Sequence, residues 1–255
     1  MTDLKAAAQR SLGLLDLTDL TDNCNHAAID ALCKKALTPH GRVAAVCIWP
    51  RYVAHARSRL SGTDVRVATV VNFPGGNQAI DRTVTETRSA IDDGAHEIDL
   101  VLPYGALKAG DEDSPKAMVE AIADVCAGKA LLKVIIESGE LVEDASIDKA
   151  SHLAMEAGAD FIKTSTGKVA VNATLETAER MITAISNHSG AKPVGFKPAG
   201  GIKTTQDCAA YLAIADRIMG EDWATPKTFR FGASSVLVNL LATLDGEDAV
   251  VGEGY

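Results

Sequence analysis

Aromatic residues make up only 4% of this 255-residue chain. No run reaches the roughly 18 consecutive apolar residues of a membrane-spanning helix, so no membrane role is expected. Basic blocks are missing too: nowhere do five or more Lys and Arg cluster, and 25 basic against 34 acidic side chains leave a formal charge of −9. A chain of that sign repels phosphate backbones and anionic lipid, which argues against a nucleic-acid partner. The five cysteines (Cys24, Cys33, Cys47, Cys126 and Cys208) are odd in number and never spaced as CxxC. That pattern predicts neither a disulfide framework nor a zinc site. Six histidines supply no HExxH and no i, i+4 pair, so no metal and no cofactor is expected. The opening Met-Thr-Asp-Leu-Lys has no basic stretch leading into an apolar one, and reduced thiols in the cytoplasm fit best. With 21 Gly and 8 Pro the chain is also far from a low-complexity composition.

What is present is a repeated unit: a short run rich in Val, Ile and Phe followed by a longer stretch of helical period. The predicted strands are Leu12–Leu17, Val43–Trp49, Val65–Phe73, Glu97–Leu102, Leu131–Glu137, Asp160–Ser165, Pro193–Pro198 and Thr228–Ala233. Helices are predicted between them, among them Gln78–Asp92, Glu143–Ala157, Leu175–Asn187 and Thr204–Met219, with Gly94 and Gly158 as helix stops. Strict alternation implies a parallel sheet, and eight units in about 250 residues match a closed barrel. The expected fold is α/β, a single (β/α)8 TIM barrel over residues 1–255 with a short irregular tail at 245–255. A doubly wound open sheet is the competing reading, but no GxGxxG turn supports its dinucleotide-binding form.

Strand side chains alternate between faces. Leu132, Val134 and Ile136 are apolar and suit the helix layer, which turns Lys133, Ile135 and Glu137 toward the barrel axis. The same parity sends Asp99, Lys163, Lys197 and Asp16 inward, and the set Val43, Ala45 and Cys47 as well. Buried charges cost several kcal/mol each unless they pair closely. A purely structural ion-pair network is one explanation. Another is that lysines sharing such a site repel one another, leaving one amine neutral and nucleophilic. A neutral amine attacks a carbonyl to give a Schiff base, whose protonated nitrogen draws electrons from the adjacent carbon–carbon bond. Asp99 would then relay protons. Parity does not rank the three lysines.

Glycines after the last strands, Gly200 and Gly201, then Gly232 followed by Ser234 and Ser235, expose backbone N–H groups beside helix starts and would suit a phosphate. Thr166, Gly167 and Lys168 after the sixth strand would add a hydroxyl, an amide and a counter-charge. The loops after strands seven and eight of such barrels often hold phosphate.

The segments Asp160-Phe-Ile-Lys-Thr-Ser-Thr-Gly-Lys168, Gly195-Phe-Lys-Pro-Ala-Gly-Gly201 and Glu97-Ile-Asp-Leu-Val101 closely resemble the deoxyribose-phosphate aldolases. The resemblance extends over Leu15-Asp-Leu-Thr18, Cys47-Ile-Trp-Pro50, Asn72-Phe-Pro74, Phe231-Gly-Ala-Ser-Ser235 and the terminal Tyr255. It implies a class I, metal-free lyase that reversibly splits 2-deoxy-D-ribose 5-phosphate into D-glyceraldehyde 3-phosphate and acetaldehyde in deoxyribonucleotide catabolism. Carried over by motif, Lys163 is the Schiff-base lysine, Lys197 its neighbouring cation and Asp99 part of the proton relay. Asp16 is implied to approach the substrate hydroxyls, the glycine and serine loops to hold the phosphate, and Tyr255 to transfer a proton. Lys133 and Cys47 are accessory candidates, the latter as a thiol near enough to trap aldehydes. Lys203 and Trp49 depart from the Arg and Tyr expected at those places.

Two other readings stay open: a Schiff-base barrel lyase for another phosphosugar, and a non-catalytic phosphosugar-binding barrel. A monomer and a homodimer are both compatible with the sequence.

Overall fold

The computed structural model describes residues 3–190 and 192–247. Eight parallel strands form its centre: β1 Leu15–Asp19, β2 Ala45–Ile48, β3 Arg66–Val71, β4 Glu97–Val101, β5 Leu131–Ile135, β6 Phe161–Lys163, β7 Gly195–Lys197 and β8 Phe231–Ala233. Each pairs with the next in sequence from β1 to β7, and β8 pairs with β1. Parallel bridges from Phe196 to Phe229 and from Ala199 to Gly232 join β7 to the segment carrying β8 and complete the circuit. The (β/α)8 barrel expected from the alternation is the fold observed.

The helices are α1 Leu4–Gly13, α2 His26–Lys35, α3 Val53–Arg59, α4 Ile80–Asp92, α5 Tyr104–Lys108, α6 Asp113–Cys126, α7 Ser138–Leu141, α8 Asp144–Glu156, α9 Leu175–Ser186, α10 Thr205–Met219 and α11 Val236–Asp245. Outward strand residues such as Ile98, Leu100, Leu132, Val134 and Ile162 share one buried cluster with Met118, Ile122, Met181 and Ile182 from the helix layer. Burial of each such side chain contributes roughly 1.5–3 kcal/mol. α10 opens with a reciprocal cap, in which Thr204 accepts from the Asp207 N–H and Asp207 accepts from the Thr204 N–H. That cap fixes the chain as it leaves the loop after β7.

Several boundaries differ from expectation. Leu12, predicted to open the first strand, instead ends α1, a helix capped by Asp3, and is buried with Ala8 on one face of it. Val43 precedes β2 and packs with the outer cluster, so only Ala45 and Cys47 of the expected inward set face the interior, with Leu20, Ala68 and Val70. β5 stops at Ile135, and Glu137 lies beyond it in a left-handed conformation with φ 55°. Asp245, placed in the expected tail, is the last residue of α11 and pairs with His40 at 2.7 Å. The tail from residue 248, Tyr255 included, lies outside the described residues. Among those described, no helix is long and apolar enough to cross a membrane.

Candidate active site

Asp16, Asp99, Lys133, Lys163 and Lys197 meet inside the barrel, as the parity of five strands requires, and none is more than 3% exposed. Asp99 is the hub. Its Oδ2 accepts from Lys163 Nζ at 2.7 Å and from Lys197 Nζ at 2.8 Å, while its Oδ1 accepts from Lys133 Nζ at 2.9 Å. Lys197 also donates to Asp16 Oδ2 at 2.6 Å.

Two further members were missed. Glu97 pairs with Lys133 at 2.6 Å, and Arg230 bridges Asp16 Oδ1 at 2.6 Å and Glu97 Oε1 at 2.8 Å. Both were within reach of the same parity rule, since Glu97 shares the phase of Asp99 and Arg230 that of Gly232.

These contacts separate the lysines electrostatically. For Asp99, burial favours the neutral acid, but Lys133, Lys163 and Lys197 outweigh it and hold the carboxyl well below its ordinary range. Asp16 and Glu97 are lowered in the same way against their burial, Asp16 chiefly by Lys197 and Arg230, Glu97 by Lys133 and Arg230. For Lys197, burial opposes the charge, yet Asp16 and Asp99 more than offset it and the ammonium is stabilised. Lys133 is likewise raised, by Asp99 and Glu97 against its burial. Lys163 goes the other way. Burial, assisted by the positive charge of Lys197, lowers it despite its contact with Asp99.

Above this network, at the C-terminal end of the strands, lies a cavity of about 300 Å³ lined by Lys163, Thr166, Gly167, Gly200, Gly201, Gly232, Ser234 and Ser235. Backbone conformation explains one of the glycines and close approach another. Gly200 has φ 84°, and a Cβ there would lie 2.7 Å from Asn172; a Cβ on Gly232 would lie 2.8 Å from Ala199 and 3.0 Å from Lys197 Cε. Ser235 precedes α11 without making a side-chain cap, so the helix start faces this end of the barrel with its hydroxyl uncommitted to capping. Such a rim offers amides, hydroxyls and a helix N-terminus to an anion.

Not every expected residue is on this wall. Asp16 is not among its lining residues, and its two carboxylate oxygens accept from Lys197 and Arg230. Lys168 does not line the cavity: its Nζ donates to the Leu20 carbonyl at 2.9 Å, tying the loop after β6 to the one after β1. Lys203 is exposed and also off the wall. Cys47 is fully buried, and burial followed by Asp99 raises its thiol. Glu137 accepts from the Thr166 N–H at 3.1 Å, shaping the β6 loop, and burial raises its carboxyl. Trp49 donates to the Thr21 carbonyl at 3.0 Å and so steadies the loop after β1. Thr18, Lys35 and Asn172 line the cavity unforeseen, and the buried Asn172 Oδ1 has no hydrogen-bond partner, leaving an acceptor for a hydroxyl.

A larger cavity of about 770 Å³ opens at the opposite, N-terminal end, where Glu97 and Arg230 are among its walls. Lys163 lines only the smaller one. A lysine whose ammonium is disfavoured, facing the C-terminal cavity 2.7 Å from a carboxylate, is equipped to form imines with small carbonyl compounds.

Residues 10–237 match the profile of the DeoC/LacD family of aldolases. Among solved structures, the chain is similar to a provisionally named deoxyribose-phosphate aldolase of Coccidioides immitis, with 30% identity, TM-score 0.81, and 92% of this chain and 86% of that one covered. A second provisionally named deoxyribose-phosphate aldolase, from Toxoplasma gondii ME49, is 26% identical with TM-score 0.86 over 97% and 99% of the two chains. A tetrameric deoxyribose phosphate aldolase of Aeropyrum pernix, 22% identical with TM-score 0.74 over 94% and 97%, shares the fold.

Proposed function

The chain belongs to the DeoC/LacD family of aldolases, and on that premise we propose that it cleaves 2-deoxy-D-ribose 5-phosphate reversibly through a Schiff base on Lys163. The observation that carries the assignment is the position of that amine. Of the three interior lysines, Lys163 alone both lines the C-terminal cavity and has its ammonium disfavoured.

The neutral Nζ attacks the aldehyde carbon of the open-chain sugar, and loss of water gives a protonated imine. Removal of the proton on the C3 hydroxyl then breaks the C2–C3 bond. Its electron pair passes to the imine nitrogen as an enamine, and C3 leaves as the aldehyde of glyceraldehyde 3-phosphate. Protonation of the enamine carbon and hydrolysis of the imine release acetaldehyde. Asp99, 2.7 Å from Lys163 and 2.8 Å from Lys197, is placed to pass protons at the carbinolamine stage, and Lys197 supplies the fixed positive charge. The loops carrying Thr166, Gly167, Gly200, Gly201, Gly232, Ser234 and Ser235 would take the phosphate. In this reading Asp16 also anchors Lys197.

Intact mass after mixing with acetaldehyde and borohydride tests the proposal. A single ethyl adduct on the Lys163 peptide, together with release of acetaldehyde from 2-deoxyribose 5-phosphate, is expected. No adduct, or equal labelling of surface lysines, would move a phosphosugar-binding barrel ahead. An adduct formed without cleavage of that sugar would point to a lyase for another phosphosugar.

Five free, buried cysteines suit a reducing compartment, and a cytoplasmic enzyme is part of the same proposal. So is a homodimer. Sedimentation of a species twice the 26.7 kDa chain mass is the expected result, and a monomer or tetramer refutes it.

A further inference from the structure

Among the described residues, seven of the eight buried charged side chains form one contact network; the eighth, Glu137, lies beyond β5. Asp16, Glu97 and Asp99 are three anions; Lys133, Lys197 and Arg230 are three cations, all 4% exposed or less. Within the network these six charges sum to zero, and Lys163 is its seventh member. Two chains of contacts run from the N-terminal end to that amine and converge on Asp99. In one, Arg230 holds Asp16, Asp16 holds Lys197, and Lys197 shares Asp99 Oδ2 with Lys163. In the other, Arg230 holds Glu97, Glu97 holds Lys133, and Lys133 occupies Asp99 Oδ1.

We propose that Arg230 and Glu97, at the end of the barrel away from the substrate cavity, are positioning residues that set the protonation of Lys163 through the charge balance of this network. The proposal deepens the Schiff-base reading and rests on it for its functional meaning. The other groups around Lys163 do not perform this task. Cys47 from β2 is a buried thiol whose ionisation is disfavoured, and Glu137 beyond β5, its carboxyl raised by burial, is held by the Thr166 N–H and stands outside both chains of contacts. The inward residues of β3, Ala68 and Val70, carry no charge. Asp16, Asp99, Lys133 and Lys197, from β1, β4, β5 and β7, are the network itself. Phe161 of β6 packs its ring 5.9 Å from the Arg230 guanidinium, closing one side of it with an uncharged face.

The signs follow from the count. Loss of the Arg230 charge makes the network more negative by one, so Lys163 gains a proton more readily. Loss of the Glu97 charge makes it more positive by one, and Lys163 gives its proton up more readily. Acting through intervening charges, each change is expected to be worth roughly one pH unit.

The experiment measures two pH profiles for the full chain: kcat/KM for sugar cleavage, and acylation of Lys163 by trace acetic anhydride, read by peptide mass. Arg230→Met should raise the midpoint of both by roughly one unit, and Glu97→Gln should lower it by a similar amount. Arg230→Lys, which keeps the charge, and the double variant Glu97→Gln/Arg230→Met, which restores the balance, should return to the parent midpoint. If Arg230→Met fails to fold, the isosteric Glu97→Gln and the double variant carry the test. Unchanged midpoints in variants that differ only in thermal stability would overturn the inference and leave the Schiff-base mechanism standing. Shifted acylation midpoints with no imine trapped by borohydride at any pH would do the reverse.

Discussion

Lys163→Leu is expected to lower cleavage of 2-deoxyribose 5-phosphate by at least about 10⁴-fold while leaving the barrel folded. The activity loss follows from removing the only amine on the cavity wall whose ammonium the surroundings disfavour. Lys133 and Lys197 cannot take over, because both are held as ammonium ions, Lys133 by Asp99 and Glu97 with Asp16 at 3.7 Å, Lys197 by Asp16 and Asp99. Retention of the fold follows from the charge count. Leucine is uncharged, as Lys163 is in its reactive form, so the six remaining ions still balance. Asp99 also keeps two of its three cationic partners. Paired measurements decide the matter: single-turnover cleavage and thermal unfolding. A collapse of activity with a melting temperature within a few degrees of the parent supports the assignment. Residual turnover within tenfold of the parent would show that the chemistry does not pass through this nitrogen.

Much of this arrangement was legible in the sequence, for a specific physical reason. In a closed barrel each strand has one face against helices and one toward the axis, so a charged residue flanked by apolar ones has only one place to point. Lys133 between Leu132 and Val134, and Lys163 between Ile162 and Thr164, obey that rule, and the structure places both inside. Glu97 was overlooked because it begins its strand, where a charge ordinarily reads as a solvated end. Arg230 lies inside the predicted strand Thr228–Ala233 in the phase of Gly232, but that segment reads first as a phosphate loop; in the structure it precedes β8 and reaches the interior through a long side chain, its Nε donating to the Pro226 carbonyl at 2.6 Å. Leu12 was misplaced because a short apolar run carries no period of its own. Its partner Ala8, one helical turn earlier, is what identifies α1. The different stations of the three lysines could not be read from parity at all. Lys163 and Lys197 are register partners on adjacent strands, and only three-dimensional contacts show that one is doubly paired and the other opens onto a cavity. The pairing of Asp16 with Arg230 across 214 positions likewise leaves no trace in local sequence.

Asp99→Asn is expected to damage both stability and turnover, and the two effects have separable signatures. The side chain is fully buried and faces three lysines, so the amide removes the shared counter-charge without changing shape. Breaking a buried ionic cluster by neutralising one partner costs about 3–5 kcal/mol, which for a chain of this size is a fall in melting temperature of roughly 10 °C. Turnover should drop by about 10²–10⁴-fold through loss of the proton relay. A protonated nucleophile is not the cause, because the sign is opposite: the Asp99 carboxylate favours the ammonium of Lys163, and its loss makes that amine more readily neutral. Trace acylation of Lys163 should therefore shift to lower pH while cleavage falls. A shift to higher pH would mean that Asp99 is not the anion that sustains the Lys163 charge. Acid unfolding adds an independent check. Because the folded-state carboxyl is depressed, its stabilisation is fully present above the ordinary carboxylate range near pH 4 and is lost as pH falls through the depressed value. The stability gap between parent and Asp99→Asn should accordingly be constant from about pH 5 to 7 and narrow below about pH 4. A gap independent of pH down to full acid unfolding would mean that the variant's loss comes from packing and not from charge.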